Sequence, residues 1–368
     1  MPLSTITTNS IADDAITVPK VTDQILTNRN LIINGAMQVA QRGTSTSGVT
    51  SSAYTTVDRL YIQTGTLGTW THSQATDAPN GFSNSFKVLC TTADASPSAA
   101  GYKFISIRLE GQDLQQLAFG TSDAKTITLS FWVKSNKTGT YTTSLQNFDN
   151  SKQVGANYTV NSADTWEKKV LTFGGDTVVG FNNDNNISLQ IDWWLAAGTD
   201  WTAAGAPLAT WAGYDVDARG GGLTVNLADA TNNYWQITGV QLELGSQATP
   251  FEHRSFGEEL ARCQRYYQKS YPYTNYAGEN LGSGSHGFIP IDLLDDVNIH
   301  FKQTMRATPT LTIYRKNGTA TSSAQRADNA AAYMTITVSA IRDNGFQFNP
   351  GSSVSRRYRL HYVADAEI

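Results

Sequence analysis

Charge is scarce in this chain of 368 residues: 16% are Asp, Glu, Lys or Arg, and 27 basic against 31 acidic side chains leave a net charge of −4. No basic face advertises nucleic acid or anionic lipid, so neither is an expected partner. Cysteine is scarcer still, with only Cys90 and Cys263, far apart and in different predicted elements. Within one chain they make neither a disulfide framework nor a zinc site, and both are expected to be reduced. No apolar run is long enough to cross a bilayer, and the opening MPLSTITTNSIADD has no basic or apolar leader region. Assembly in a cytoplasm without membrane insertion is the expectation.

Motifs for small-molecule chemistry are also lacking. The 5 histidines, at 72, 253, 286, 300 and 361, show no metal-binding spacing. Gly282, Gly284 and Gly287 spell G-x-G-x-x-G, but they lead into FIPI, where Pro290 opposes the helix that a dinucleotide site needs. Asn182, Asn183, Asp184 and Asn185 offer hard oxygens to a calcium ion, yet Asx turns account for the same residues. No metal and no cofactor is expected.

What is abundant is Thr, Ser, Asn and Gly beside 8 Trp, 16 Tyr and 14 Phe, the mixture of short strands joined by polar turns. Strand signals recur at LYIQ, SFKVLC, KFISIRLE, TITLSFWVKS, WEKKVLTF, ISLQIDWWL and LTVNL, interrupted mostly by Gly, Asn, Asp or Pro. The reading is all-β, with two packed antiparallel sheets and a short helical crossing at Leu109 to Phe119. Beyond a loop rich in tyrosine, GFIPIDL, NIHFKQTM, TLTIYRK, YMTITVSAIR, GFQFN and YRLHYVA predict a second, smaller β domain.

Between the two lies a junction, Tyr234 to Tyr267. Trp235, Ile237, Val240, Leu242 and Leu244 alternate with polar or small residues except for one slip of phase at Thr238-Gly239, which predicts a bulged strand. Gly245 and Pro250 end it, and Ser255 with Glu258 forms a capping box for a helix. Phe256, Leu260, Cys263 and Tyr267 then make one narrow apolar stripe, with Glu258 and Arg262 paired outside. So narrow a stripe suits three copies meeting on an axis, which makes these four residues the candidate trimer interface; packing on the chain's own sandwich is the alternative.

The stretch QLELGSQATPFEHRSFGEELARCQRYYQKSY resembles a segment of tail fibres and related appendages of tailed bacteriophages. The resemblance extends back to NLIINGAMQVAQRGT and forward to MRATPTLTIY and YVADAEI, covering most of the chain from Asn30. It implies a virion structural protein, usually a homotrimer, with a galactose-binding-like jelly roll. Ile6, Ile11, Ile16, Val21 and Leu26 stand at every fifth position of a polar segment, a period of neither helix nor strand. SIADDAITVPKV there also resembles phage-fibre arms that attach to the particle, so these aliphatics are the expected virion-attachment residues.

The chain therefore divides into an extended arm (1–29), a jelly-roll β-sandwich (30–253), a junction helix (254–270) and a distal β domain (271–368). The expected function is a trimeric appendage that docks on other tail or head proteins through its arm and recognises a host-surface glycan. Rivals are a capsid, neck or tail decoration without receptor binding, and a glycan-degrading enzyme. The enzyme is disfavoured, because depolymerising spikes tend to be repetitive β-helices and no short repeat occurs here. Two aromatic groups compete as sugar sites. Tyr271, Tyr273 and Tyr276 lie in the distal domain. Trp193, Trp194, Trp201, Trp211 and Tyr214 lie near Asp192, Asp200, Asp215 and Asp217, where Trp211 and Tyr214 are candidates but a loop pinned across the sheet by its tryptophans is the preferred reading.

Overall fold

The computed structural model describes residues 28–281, 286–288, 297–326, 329, 331–349 and 358–368. The arm residues Ile6, Ile11, Ile16, Val21 and Leu26 lie outside these, as do Gly282 and Gly284. In chain order the first strands are β1 (Ser45–Val49), β2 (Ala53–Tyr54), β3 (Tyr61–Gly65), β4 (Thr69–Ala75), β5 (Ser85–Thr92), β6 (Tyr102–Glu110), β7 (Ile127–Ser135), β8 (Gly139–Asn147), β9 (Lys152–Val160), β10 (Glu167–Phe173), β11 (Ile187–Ala197), β12 (Ala212–Gly213) and β13 (Tyr234–Leu244). They form a six-stranded sheet, β1-β4-β5-β13-β7-β10, and a seven-stranded sheet, β12-β9-β8-β11-β6-β3-β2. All pairings are antiparallel, and the two sheets enclose one core as a jelly-roll-like sandwich.

Alternation explains which side chains meet. Ile127, Leu129, Phe131 and Val133 of β7 face Ile105 and Ile107 of β6 and Leu189, Ile191 and Trp193 of β11 in that core. The predicted slip in β13 is a register shift between Thr238 and Gln241. It is there to receive the segment after Asn30. Leu31 N–H donates to Leu242 O and Val240 N–H to Gly35 O, both at 2.9 Å. A side chain on Gly35 would put its first carbon 2.1 Å from Val240 O, so the residue must be glycine. The predicted helical crossing is a pair of 3-10 turns, Gly111–Asp113 and Gln115–Leu117.

Among the described residues the single α-helix, α1 (Phe256–Gln264), begins as predicted, with Ser255 Oγ accepting from Glu258 N–H at 3.2 Å. The Glu258 carboxylate pairs with Arg262 at 3.0 Å. The helix is shorter than predicted, because Tyr267 to Lys269 leave it to become a strand. That strand opens the second domain: β14 (Tyr267–Lys269), β15 (His286–Phe288), β16 (Val297–His300), β17 (Thr310–Arg315), β18 (Ser323–Arg326), β19 (Tyr333–Thr335), β20 (Thr337–Arg342), β21 (Gly345–Asn349) and β22 (Tyr358–Asp365). β22 is its spine, pairing with β14, β15, β17 and β18, while β16, β21 and β20 make a small separate sheet. Its core gathers Ile313, Phe346, Phe348, Leu360 and Tyr362.

The second domain packs back against the sandwich beside the helix. Gln41 Nε2 donates to Tyr267 O at 2.7 Å, Ala40 N–H to the Tyr273 hydroxyl at 3.0 Å, and the chain end runs back to Arg42, Arg59 and Arg108 of the sandwich. Two buried cores share one polar seam.

Candidate functional site

β11 carries adjacent tryptophans because its two faces have different neighbours. Trp193 points into the core; Trp194 and Asp192 point outward from the seven-stranded sheet. Opposite Asp192 stand Ser106 of β6 and Ser144 of β8. Both hydroxyls donate to its carboxylate, at 2.7 and 3.4 Å, as does Gln190 Nε2 at 2.9 Å. Asp192 is completely buried, and its second oxygen takes Arg219 Nη2 at 2.7 Å. Burial works against the Arg219 charge, but Asp192 beside it, and Tyr214 less strongly, raise its pKa above the usual guanidinium value.

Four aromatic rings surround that guanidinium. Its carbon lies 5.0 Å from Phe104, 5.1 Å from Trp194, 5.5 Å from Trp201 and 5.9 Å from Tyr214. Phe104 and Trp194 form the floor, stacked at 4.2 Å. Trp201 stands edge-on to Tyr102 at 5.1 Å, and its indole N–H donates to Ala100 O at 3.1 Å. The loop is fastened at Gly220 N–H to Trp201 O, 2.8 Å, at Gly155 N–H to Leu208 O, 2.7 Å, and by Asp215 Oδ1 accepting from Asp217 N–H. A loop pinned across the sheet is therefore what the structure shows. Its pinned rings still have an outward side: Tyr214 is 41% exposed, Trp201 is half-buried and Asp200 is exposed.

The other candidates separate. Trp211 faces Phe119 at 5.6 Å and donates its indole N–H to Gly174 O at 2.8 Å. Tyr271 is buried and stacked 3.8 Å from His361, which closes it to any sugar. Tyr273 spends its hydroxyl on Ala40 N–H and Gln38 O, joining the two domains. Tyr276 is half-buried with the Lys269 ammonium 5.1 Å from its ring. In the helical stripe, Cys263 is buried and Tyr267 lies under Arg42 at 3.7 Å, so the chain's own residues cover both. Phe256, 44% exposed and edge-on to Tyr273, and half-buried Leu260 are the members left with open surface.

Two of the histidines, His72 and His361, are fully buried. Asn182 donates through its N–H and Nδ2 to Asp149, and the Asp184 carboxylate accepts from Asn186 in an Asx turn. Among the described residues no group of His, Cys, Asp and Glu is arranged to hold a metal. Arg219 belongs to no sequence motif, although a lone arginine following four tryptophans is a signal for cation–π packing.

No protein-family model and no curated protein matches the chain. Solved structures do. An enzymatically active domain of tailspike protein 4 of bacteriophage CBA120 aligns at 15% identity and TM-score 0.29, over 59% of this chain and 21% of that one. A protein described as sugar binding from Bacteroides thetaiotaomicron aligns at 14% identity and TM-score 0.33, over 59% and 100%. A family 11 carbohydrate-binding module of Clostridium thermocellum aligns at 11% and 0.28, over 55% and 99%. The chain thus spans about a fifth of the tailspike domain's length. At such TM-scores the likeness says nothing of what this chain binds.

Proposed function

We propose that this chain is a non-enzymatic structural subunit of a tailed-phage appendage, homotrimeric and attached through residues 1–29, whose sandwich recognises a host-surface glycan. The phage reading rests on the segments around the junction helix and their resemblance to tail fibres. Glycan recognition is carried by one observation: the rim of Trp201 and Tyr214 held over the Asp192–Arg219 pair.

A sugar offers a C–H face to an aromatic ring and hydroxyls to carboxylates, and it binds best where the rings are already fixed. The buried ion pair fixes these. Asp200 precedes Trp201 and Asp215 follows Tyr214 in the chain, carboxylates of the kind that accept from sugar hydroxyls. Asp192 itself is sealed below the rings and paired with Arg219, which keeps that carboxylate from reaching a bound sugar. Virion localisation and assembly in the host cytoplasm follow from the same reading.

Binding of host polysaccharide and competition with phage adsorption test it, using wild type and Tyr214→Ala. The variant is expected to bind about tenfold more weakly, a stacking loss near 1.4 kcal/mol, with its melting temperature almost unchanged. Equal binding by both would remove the rim from the site; no binding by wild type would favour a decoration protein.

A further inference from the structure

Arg42, Arg59 and Arg108 converge on the part of the sandwich that meets the second domain, each laid on an aromatic ring. Arg42 lies over Tyr267 at 3.7 Å, Arg59 over Tyr266 at 3.4 Å and Arg108 over Tyr61 at 4.0 Å. Into this row runs the tetrapeptide Asp365 to Ile368. Arg42 takes Asp365 at 3.0 Å and Glu367 at 3.2 Å, and Arg59 takes the other Glu367 oxygen. Arg108 and the Tyr54 hydroxyl both donate to the Ile368 main-chain oxygen, and Ala366 N–H donates to Tyr266 O at 2.8 Å. The Arg59 and Glu367 side chains are only 3% and 4% exposed.

We propose that this is a peptide-binding slot of the sandwich, selective for an extended acidic segment of the pattern Asp-x-Glu-aliphatic. The chain's own tail fills it as a separable latch for the second domain. The charges give the reason. With the tail seated, Arg42 pairs with Asp365, Glu367 and, at 3.9 Å, the buried Asp58, Arg59 pairs with Glu367, and Arg108 donates to the Ile368 main-chain oxygen and to Gln190. Without it Arg42 keeps Asp58 alone as an ion-pair partner and the buried Arg59 keeps only the Arg108 carbonyl as a hydrogen-bond acceptor, and a buried cation that loses its anionic partner is costly. An emptied slot therefore has a standing demand for anionic groups.

Main-chain contacts at Ala366 and Ile368 make it a peptide site rather than a general anion site. So does the alternation, which turns Asp365 and Glu367 to the arginines and buries Ala366 and Ile368. The latch is separable because only Asp365 of the four belongs to β22, where it pairs at the strand end with Tyr267 and Thr310.

The test uses the chain truncated after Ala364 and the labelled peptide Asp-Ala-Glu-Ile, followed by fluorescence anisotropy and by the arginine side-chain resonances. The truncated chain is expected to take up the peptide and to shift those resonances. Asn-Ala-Gln-Ile should bind about tenfold more weakly, rising salt should weaken the acidic peptide, and wild type, whose slot is filled, should bind neither. A folded truncated chain that does not distinguish the two peptides, or wild type that binds as well as the truncated chain, overturns the proposal. Should the truncated chain not fold, full-length protein carrying Asp365→Asn and Glu367→Gln takes its place. Exchange of its weakened tail for the acidic peptide supports the slot, and no exchange at saturating peptide overturns it.

Discussion

His72 and Lys103 share the sandwich core without a carboxylate between them. Lys103 Nζ lies 2.7 Å from Thr64 Oγ1, 2.9 Å from His72 Nε2 and 5.0 Å from the Trp70 ring. Burial, reinforced by Lys103, lowers the His72 pKa to about 2, and burial also pulls Lys103 well below the usual lysine value. In the unfolded chain the histidine protonates near its ordinary value of about 6.5, so the unfolded state binds the proton first as pH falls. The stabilising contribution of neutral His72 is therefore complete above about pH 6.5 and is lost between there and about pH 2. At about pH 4 the loss amounts to ~3 kcal/mol. Urea unfolding of wild type and His72→Gln at neutral and acid pH checks this: the variant's stability should fall less on acidification by about that difference. An equal fall in both would show that His72 is not the group being titrated.

At the scale of elements, the helix α1 bears the assembly question. Cys263 and Tyr267 are committed to their own chain, so of the stripe proposed as a seam between copies only Phe256 and Leu260 remain open. If the chain is the proposed trimer, Leu260→Asp brings carboxylates together on that seam, and light scattering is expected to show trimer giving way to monomer while the near-ultraviolet tryptophan signal persists. A variant that stays associated would place the trimer contact elsewhere. What was legible in the sequence here was local: the alternation and bulge of β13 and the Ser255 cap arise within a few residues of one another. What was not legible came from partners distant in the chain. Tyr267 leaves the helix to pair with Asp365, Tyr271 is closed off by His361, and the Arg219 cage draws on β6, β11 and its own loop. No spacing in a single segment encodes such meetings. The arginine row, scattered over positions 42, 59 and 108, was hidden for the same reason.

For the whole molecule, the proposed function gives attachment and recognition to different parts of the chain. Removing residues 1–26 should leave a folded sandwich, since its described core begins at Ile32, while abolishing incorporation into particles. Particle copy number measured by gel densitometry is the check, and normal incorporation would refute the attachment role. The entry and exit of the sandwich are stitched together. Glu252 accepts from Asn28 and Asn30 N–H, both at 2.7 Å, Arg254 donates to Ile32 O, and Asn34 N–H reaches Glu259 of α1 at 2.7 Å. This has a mechanical consequence. A pull applied ahead of Asn28 reaches the exit segment and the helix through these bonds before it can peel a strand from either sheet. In single-molecule pulling, Glu252→Ala should lower the force at which the first extension appears and leave the main unfolding peak in place.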